Sequence, residues 1–214
     1  PEPQCCVVSF SSMNPGKYER FSWFEKRRLD IPGLYIFLKD EPQHYYRGTP
    51  QSPLKAERIA LLENLLAKHG VSPARTVTVG SSMGGYAAID FAVSMNLGGC
   101  ISVNPQVDRQ SALLHTVADW LPRMDESDWE DLDALIARSP KALTQFLIIH
   151  GSYPADVEAG AKLRQSFTAR DYRFSIEVHA DPQHGWMGMN SRRLFNVIND
   201  FAQTGILVAE PAVA

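Results

Sequence analysis

The stretch Arg75-Thr-Val-Thr-Val-Gly80-Ser-Ser82-Met-Gly84-Gly-Tyr-Ala-Ala-Ile-Asp-Phe-Ala-Val-Ser-Met-Asn96 decides how this chain is read. Val77 and Val79 alternate with Thr76 and Thr78, the period and residue types of a strand. From Met83 onward Ala87, Ala88, Phe91, Ala92 and Met95 recur at helical spacing. Between the two lies Gly80-Ser81-Ser82-Met83-Gly84, a G-x-S-x-G on a strand-to-helix turn. A serine on so sharp a turn projects its hydroxyl at the carboxyl edge of a sheet. Glycines two positions to either side leave room for the neighbouring strand and helix. Ser82 is therefore the expected nucleophile.

Working outward from that turn, apolar strands alternate with amphipathic helices. Upstream lie Cys5–Phe10, a short helix over 18–28, a strand over Leu34–Leu38 and a helix opening at Ser52 (cap) and Pro53 (first turn). Downstream comes a strand over Gly99–Val103. Alternation of this kind predicts a parallel sheet with helices on both faces. The segment 108–140 breaks the rhythm, with seven acids between Asp119 and Asp133 against one base, Arg123. It is expected to be a helical lid at the sheet edge where ligands bind in open α/β sheets, or else a solvated helix pair. The sheet resumes over Thr144–His150, a helix covers 155–169, and Phe174–Val178 alternates like an edge strand. A closing helix spans 191–201, and the tail 205–214 is expected to be poorly anchored.

Composition bounds the function. The chain has 214 residues, 44% of them apolar and 21% charged, with a net charge of −3. Such a balance gives no electrostatic case for nucleic acid, and the longest apolar runs are too short to span a membrane. Cys5, Cys6 and Cys100 sit in apolar segments, so reduced buried thiols and a cytoplasmic location are expected. No signal peptide is visible, although the chain begins at Pro1 and that absence carries no weight. No spacing suits a metal, and neither a metal nor a cofactor is expected.

A serine hydroxyl needs a base, and the base needs a group to fix its tautomer. Of six histidines, His184 follows the last strand at the same edge as Ser82 and is the expected base, with His179 as the alternative. His150, ending a buried strand, reads as structural, and His115 falls within the lid segment. Asp156, just past the strand that ends at His150, is the expected acid. Asp108 and Asp181 are the alternatives, and an aspartate at position 156 would also suit a helix N-terminus.

Gly80-Ser81-Ser82-Met83-Gly84-Gly85, with Asp156 after a later strand and His184 before the final helix, resembles the α/β-hydrolase superfamily in its Ser, Asp, His order. The resemblance runs from Val7 to Phe201. It implies a compact α/β-hydrolase fold of about six mostly parallel strands in a single domain, 1–204, with a short lid. It further implies a serine hydrolase that cleaves a carboxylic ester through an acyl-enzyme. The Gly-Ser-Ser-Met-Gly-Gly-Tyr-Ala-Ala run, with Asn104-Pro105-Gln106, is also similar to short bacterial hydrolases associated with surface-polysaccharide production or secretion. The family's usual His-Gly after the first strand is replaced by Ser11-Ser12-Met13-Asn14. The expected oxyanion-hole amides are those of Ser12, with Met13 as the alternative, and Met83. Tyr45, Tyr46 and Arg47 follow the second strand at this edge and, with Trp186 beside His184, are the expected substrate contacts. An ordinary surface loop is the competing reading for the first three, and core packing for Trp186.

The expected partner is a small-molecule or carbohydrate ester with a short acyl group. Acyltransferase and thioesterase outcomes share the same intermediate. A non-enzymatic module on a hydrolase fold is the alternative from another class.

Overall fold

The computed structural model describes residues 2–13, 16–115, 120–140, 143–184 and 189–207. In chain order the elements are β1 (Cys5–Phe10), α1 (Phe21–Lys26), β2 (Gly33–Leu38), β3 (Gly48–Thr49), β4 (Ser52–Pro53) and α2 (Lys55–Lys68). Then come β5 (Thr76–Ser81), α3 (Met83–Ser94), β6 (Gly99–Val103), α4 (Arg109–Ala112), α5 (Trp120–Glu126) and α6 (Leu132–Arg138). The last are β7 (Gln145–His150), α7 (Pro154–Ala169), β8 (Arg173–Val178) and α8 (Ser191–Thr204).

Six strands form one sheet in the order β2-β1-β5-β6-β7-β8, and every neighbouring pair is parallel. The two-faced burial of β1, β5, β6 and β7 explains why they read as nearly unbroken apolar runs. The half-polar pattern of β8 fits its place at an edge. One core layer lies under α2, α3, α6 and α7 and takes Cys6, Val8, Phe10, Cys100 and Ile148 from the strands. The other lies under α1 and α8 and takes Cys5, Val7, Val77, Val79 and Ile149. Adjacent Cys5 and Cys6 thus face opposite layers, as the two-residue period of a strand requires.

The chain leaves β1 toward β2 on one side, then returns to β5 on the other. Connections therefore diverge between the carboxyl ends of β1 and β5, the place where open α/β sheets form a crevice.

Local chemistry departs from the expected boundaries in three places. Ser52 and Pro53 do not open a helix; they pair antiparallel with Gly48 and Thr49, and α2 begins at Lys55. Gly48, at φ +78°, turns the chain there, and a Cβ would lie 2.3 Å from the Ser52 carbonyl oxygen. The expected helix 18–28 contracts to Phe21–Lys26, because Arg20 enters it in a left-handed conformation with φ 67°. The tail begins anchored, since Gln145 donates to the Gly205 carbonyl (2.7 Å) and accepts from the Leu207 amide (3.1 Å). Residues 208–214 lie outside the described residues.

Among its described residues, segment 108–140 contains three short helices. Its latter part packs down on the sheet's helical layer: Met124, Leu132, Leu135 and Ile136 are buried, and Trp129 stacks on Tyr86 at 4.3 Å.

Candidate active site

The β5–α3 turn is shaped by close backbone packing. A Cβ on Gly80 would lie 1.9 Å from the Gly84 carbonyl oxygen, and one on Gly84 would lie 2.5 Å from that of Phe10. Neither position admits a side chain, so the first turn of α3 sits directly against the end of β1. Ser82 between them has φ 52° and ψ −120°, a conformation few L-residues adopt. Its amide donates to the Val103 carbonyl (3.0 Å), and its own carbonyl accepts from the Tyr86 amide (3.0 Å).

From the far side of the sheet, the loop after β8 carries His184 to this turn. The Nε2 of His184 lies 2.9 Å from Ser82 Oγ, and its Nδ1 lies 2.7 Å from Asp156 Oδ1. Asp156, in the first turn of α7, is 1% exposed. A carboxylate only accepts, so Nδ1 carries the hydrogen and Nε2 is left to accept from the serine hydroxyl. The geometry joins three residues separated by up to 102 positions in sequence.

The competing candidates lie elsewhere. Asp108 caps α4 through the Ser111 amide (2.6 Å) and pairs closely with Lys162. Burial works to raise its carboxyl, yet Lys162 and Ser111 hold it below its usual value. Asp181 accepts from the Gln183 amide (2.8 Å) within the histidine loop. His150 lies within hydrogen-bond distance of the Gly151 carbonyl (2.8 Å), and His179 lies 3.7 Å from Glu177.

A cleft of about 500 Å³ opens over Ser82 and His184. Ser12 and Met13 line it, as does Ser81, while Met83 is buried at the first position of α3, where an amide has no intrahelical acceptor. Three expected contacts are corrected. Tyr45, Tyr46 and Arg47 are buried and do not line the cleft. The Tyr46 hydroxyl donates to the Ser11 carbonyl (2.8 Å), which props the β1 loop from below. Arg47 reaches Asp90 (2.8 Å) and Glu130 (3.2 Å), closing an ion-pair network between the β2–α2 connection, α3 and the 108–140 segment. A charged or aromatic loop at the sheet edge can turn inward when such partners await it. Trp186 falls outside the described residues.

The cleft also contains groups that sequence reasoning passed over. Glu19 and Arg20 line it from the β1–α1 connection, Trp23 from α1 and Trp120 from the start of α5. The sequence signal for the first three was their position after β1, at the same edge as Ser82; Trp120 lies in the segment 108–140 expected to form a lid. Burial pulls the Arg20 guanidinium below its ordinary value, and Glu19 beside it works in the opposite direction.

His115, read from the sequence only as part of the lid segment, also reaches the site. Its ring lies 4.7 Å from that of His184, nearly perpendicular, and 3.9 Å from Trp120. His115, Asp156 and His184 bring their ring nitrogens and carboxylate within 4.8 Å of one another. Burial lowers the His115 imidazole to about 3, and the neighbouring His184 adds to the lowering. The unfolded chain therefore takes up this proton first, and the stability present above the ordinary histidine pKa is lost progressively as pH falls from that value toward about 3. Acidifying from about pH 7 to about pH 5 should lower Tm by roughly 2–4 °C more in the wild type than in His115→Gln. Parallel Tm-versus-pH curves for the two would show that His115 is not held neutral.

The sheet order, its divergence between β1 and β5, and a serine on the β5–α3 turn define an α/β-hydrolase fold. Known structures share it. The capsule O-acetyltransferase of Neisseria meningitidis serogroup A is 15% identical, with a TM-score of 0.67 over 95% of this chain and 87% of that one. The fluorophosphonate-binding serine hydrolase FphF of Staphylococcus aureus is 12% identical, with a TM-score of 0.66 over 94% and 85%. The glycosylation-associated Gap123 complex of Streptococcus agalactiae is 18% identical, with a TM-score of 0.64 over 93% of this chain and 41% of that one. No protein-family model and no curated protein matches the sequence. At such identities the likeness is one of fold. Among the described residues no helix is long and apolar enough to cross a membrane.

Proposed function

We propose that this chain is a serine esterase that removes a short acyl group, acetyl above all, from a polar substrate such as a carbohydrate ester. The observation that carries the reading is the continuous line Asp156–His184–Ser82, at 2.7 and 2.9 Å. His184 takes the Ser82 proton through Nε2 as Oγ attacks the acyl carbonyl, and Asp156 steadies the imidazolium. The Ser12 (or Met13) and Met83 amides hold the oxyanion. His184 returns the proton to the leaving alcohol; water then enters and repeats the sequence on the acyl-enzyme. The polar groups that line the cleft beside Ser82, Ser12 and Asn104 among them, suit a hydroxyl-rich leaving group. The three buried, unpaired thiols fit a reducing compartment, the cytoplasm.

A para-nitrophenyl ester series from two to eight carbons tests the acyl preference. In a well-formed apolar pocket each methylene adds ~1 kcal/mol or more, so a lipase-like site would show kcat/KM rising steeply with length. Acetate is expected to be the best substrate, and a preference for octanoate overturns the short-acyl reading.

The likeness to a capsule O-acetyltransferase supports a second outcome, transfer of the acyl group to a sugar hydroxyl in place of water. Adding a sugar acceptor to the assay separates the two: transfer diverts product into the acetylated sugar, whereas hydrolysis leaves acetate yield unchanged. A non-enzymatic module would show neither product nor covalent labelling by a fluorophosphonate.

A further inference from the structure

We propose that Glu19, clamped by Arg20, is a positioning residue that ties the loop after β1 to the Ser82 turn and so sets the spacing of the oxyanion hole. This rests on the serine-hydrolase reading above. A carboxylate and a guanidinium in a sheet-edge crevice are costly unless each finds partners, and here the partners belong to the two segments that must be aligned. Ser12 Oγ donates to Glu19 Oε1 in a close hydrogen bond. Ser81 Oγ, immediately before the nucleophile, donates to Oε2 at 3.4 Å. One carboxylate therefore bridges the β1 loop and the β5–α3 turn.

The bridge is itself held from behind. Arg20 Nη1 donates to Glu19 Oε2 (3.2 Å), Arg20 Nε donates to Ser9 Oγ (2.9 Å), and Nη2 donates closely to the Phe10 carbonyl. The Glu19 amide donates to Ser11 Oγ (3.0 Å). The Arg20 side chain is 3% exposed, while Glu19 keeps 20% of its surface open toward the cleft. The arrangement is thus a buried anchor with its acceptor turned to the reacting edge. Gly84 gives an independent reason to expect a spacing that matters: no side chain fits between it and the Phe10 and Ser11 carbonyls. The β1 loop and the first turn of α3 are in close backbone contact, and the two amides assigned to the oxyanion belong to these two segments. A displacement of about 1 Å in such a site costs on the order of 100-fold in rate.

The test compares Glu19→Gln, Glu19→Ala, Ser12→Ala and the Ser12→Ala/Glu19→Gln double variant. Turnover is expressed per site titrated with a fluorophosphonate, so loss of folded protein does not count as loss of catalysis. Glu19→Gln should lower kcat by about 10-fold and Glu19→Ala by about 100-fold, with KM within about threefold of wild type. Affinity for a trifluoromethyl ketone, which forms a tetrahedral oxyanion adduct, should fall by the same factor as kcat. In the Ser12→Ala background, Glu19→Gln should cost less than about threefold more, because the shared bond is already gone. Undiminished kcat per titrated site with only a lowered Tm, or losses that multiply in the double variant, would overturn the proposal. The double-variant comparison decides even if Glu19→Ala does not fold. Failure of the wild type to be labelled at Ser82 would instead overturn the hydrolase reading, and this inference with it.

Discussion

Ser82→Ala should abolish hydrolysis of para-nitrophenyl acetate by on the order of 10⁴-fold or more, while leaving the fold intact. The expectation follows from geometry: Oγ is the atom 2.9 Å from His184 Nε2, and among the described residues no other hydroxyl lies within hydrogen-bond distance of that ring. Loss of Oγ removes no core packing, and Ala keeps a Cβ where Ser had one, so the denaturation midpoint should move little. The variant should also lose covalent labelling by a fluorophosphonate. Retention of a tenth of wild-type turnover would move the nucleophile away from position 82.

The second large effect is expected at Asp156. Asn in its place keeps the shape but presents an amide toward Nδ1, which favours the tautomer with hydrogen on Nε2; that costs about 10⁴ in kcat in serine triads. Asp108→Asn should cost far less turnover, because Asp108 is committed to Lys162 and the cap of α4. Its loss should appear in Tm instead. Parallel assays that reverse these two effects would transfer the acid role to the end of β6.

Much of this was legible in the sequence because the governing forces are local or periodic. Strands buried on both faces write themselves as apolar runs, and β1, β5, β6 and β7 are such strands. The strand–Gly–x–Ser–x–Gly–helix turn is a local backbone requirement, so Ser82 could be placed without knowing its neighbours. Asp156 and His184 followed from one further rule, that chemistry gathers at the carboxyl ends of parallel strands. What stayed hidden depended on partners distant in the chain. Ser52-Pro53 has the composition of a helix start, yet a pairing with Gly48-Thr49 outweighs capping. Tyr45, Tyr46 and Arg47 read as a polar loop, but Asp90 and Glu130, more than 40 residues away, draw Arg47 inward. Glu19 and His115 sit in connections without period or motif, and only the closed fold reveals that they flank Ser82 and His184.

The backbone at Ser82 carries a wider meaning. Holding a residue with a Cβ at φ 52° and ψ −120° costs of order 1–3 kcal/mol, a sizeable share of the stability that keeps a domain of this size folded. A chain shaped only by the demand to persist would place glycine there and relax. This one gives up part of its safety margin so that a single hydroxyl faces outward. On the proposed reading of Ser82, durability and reactivity are opposed at one residue, and the sequence favours reactivity.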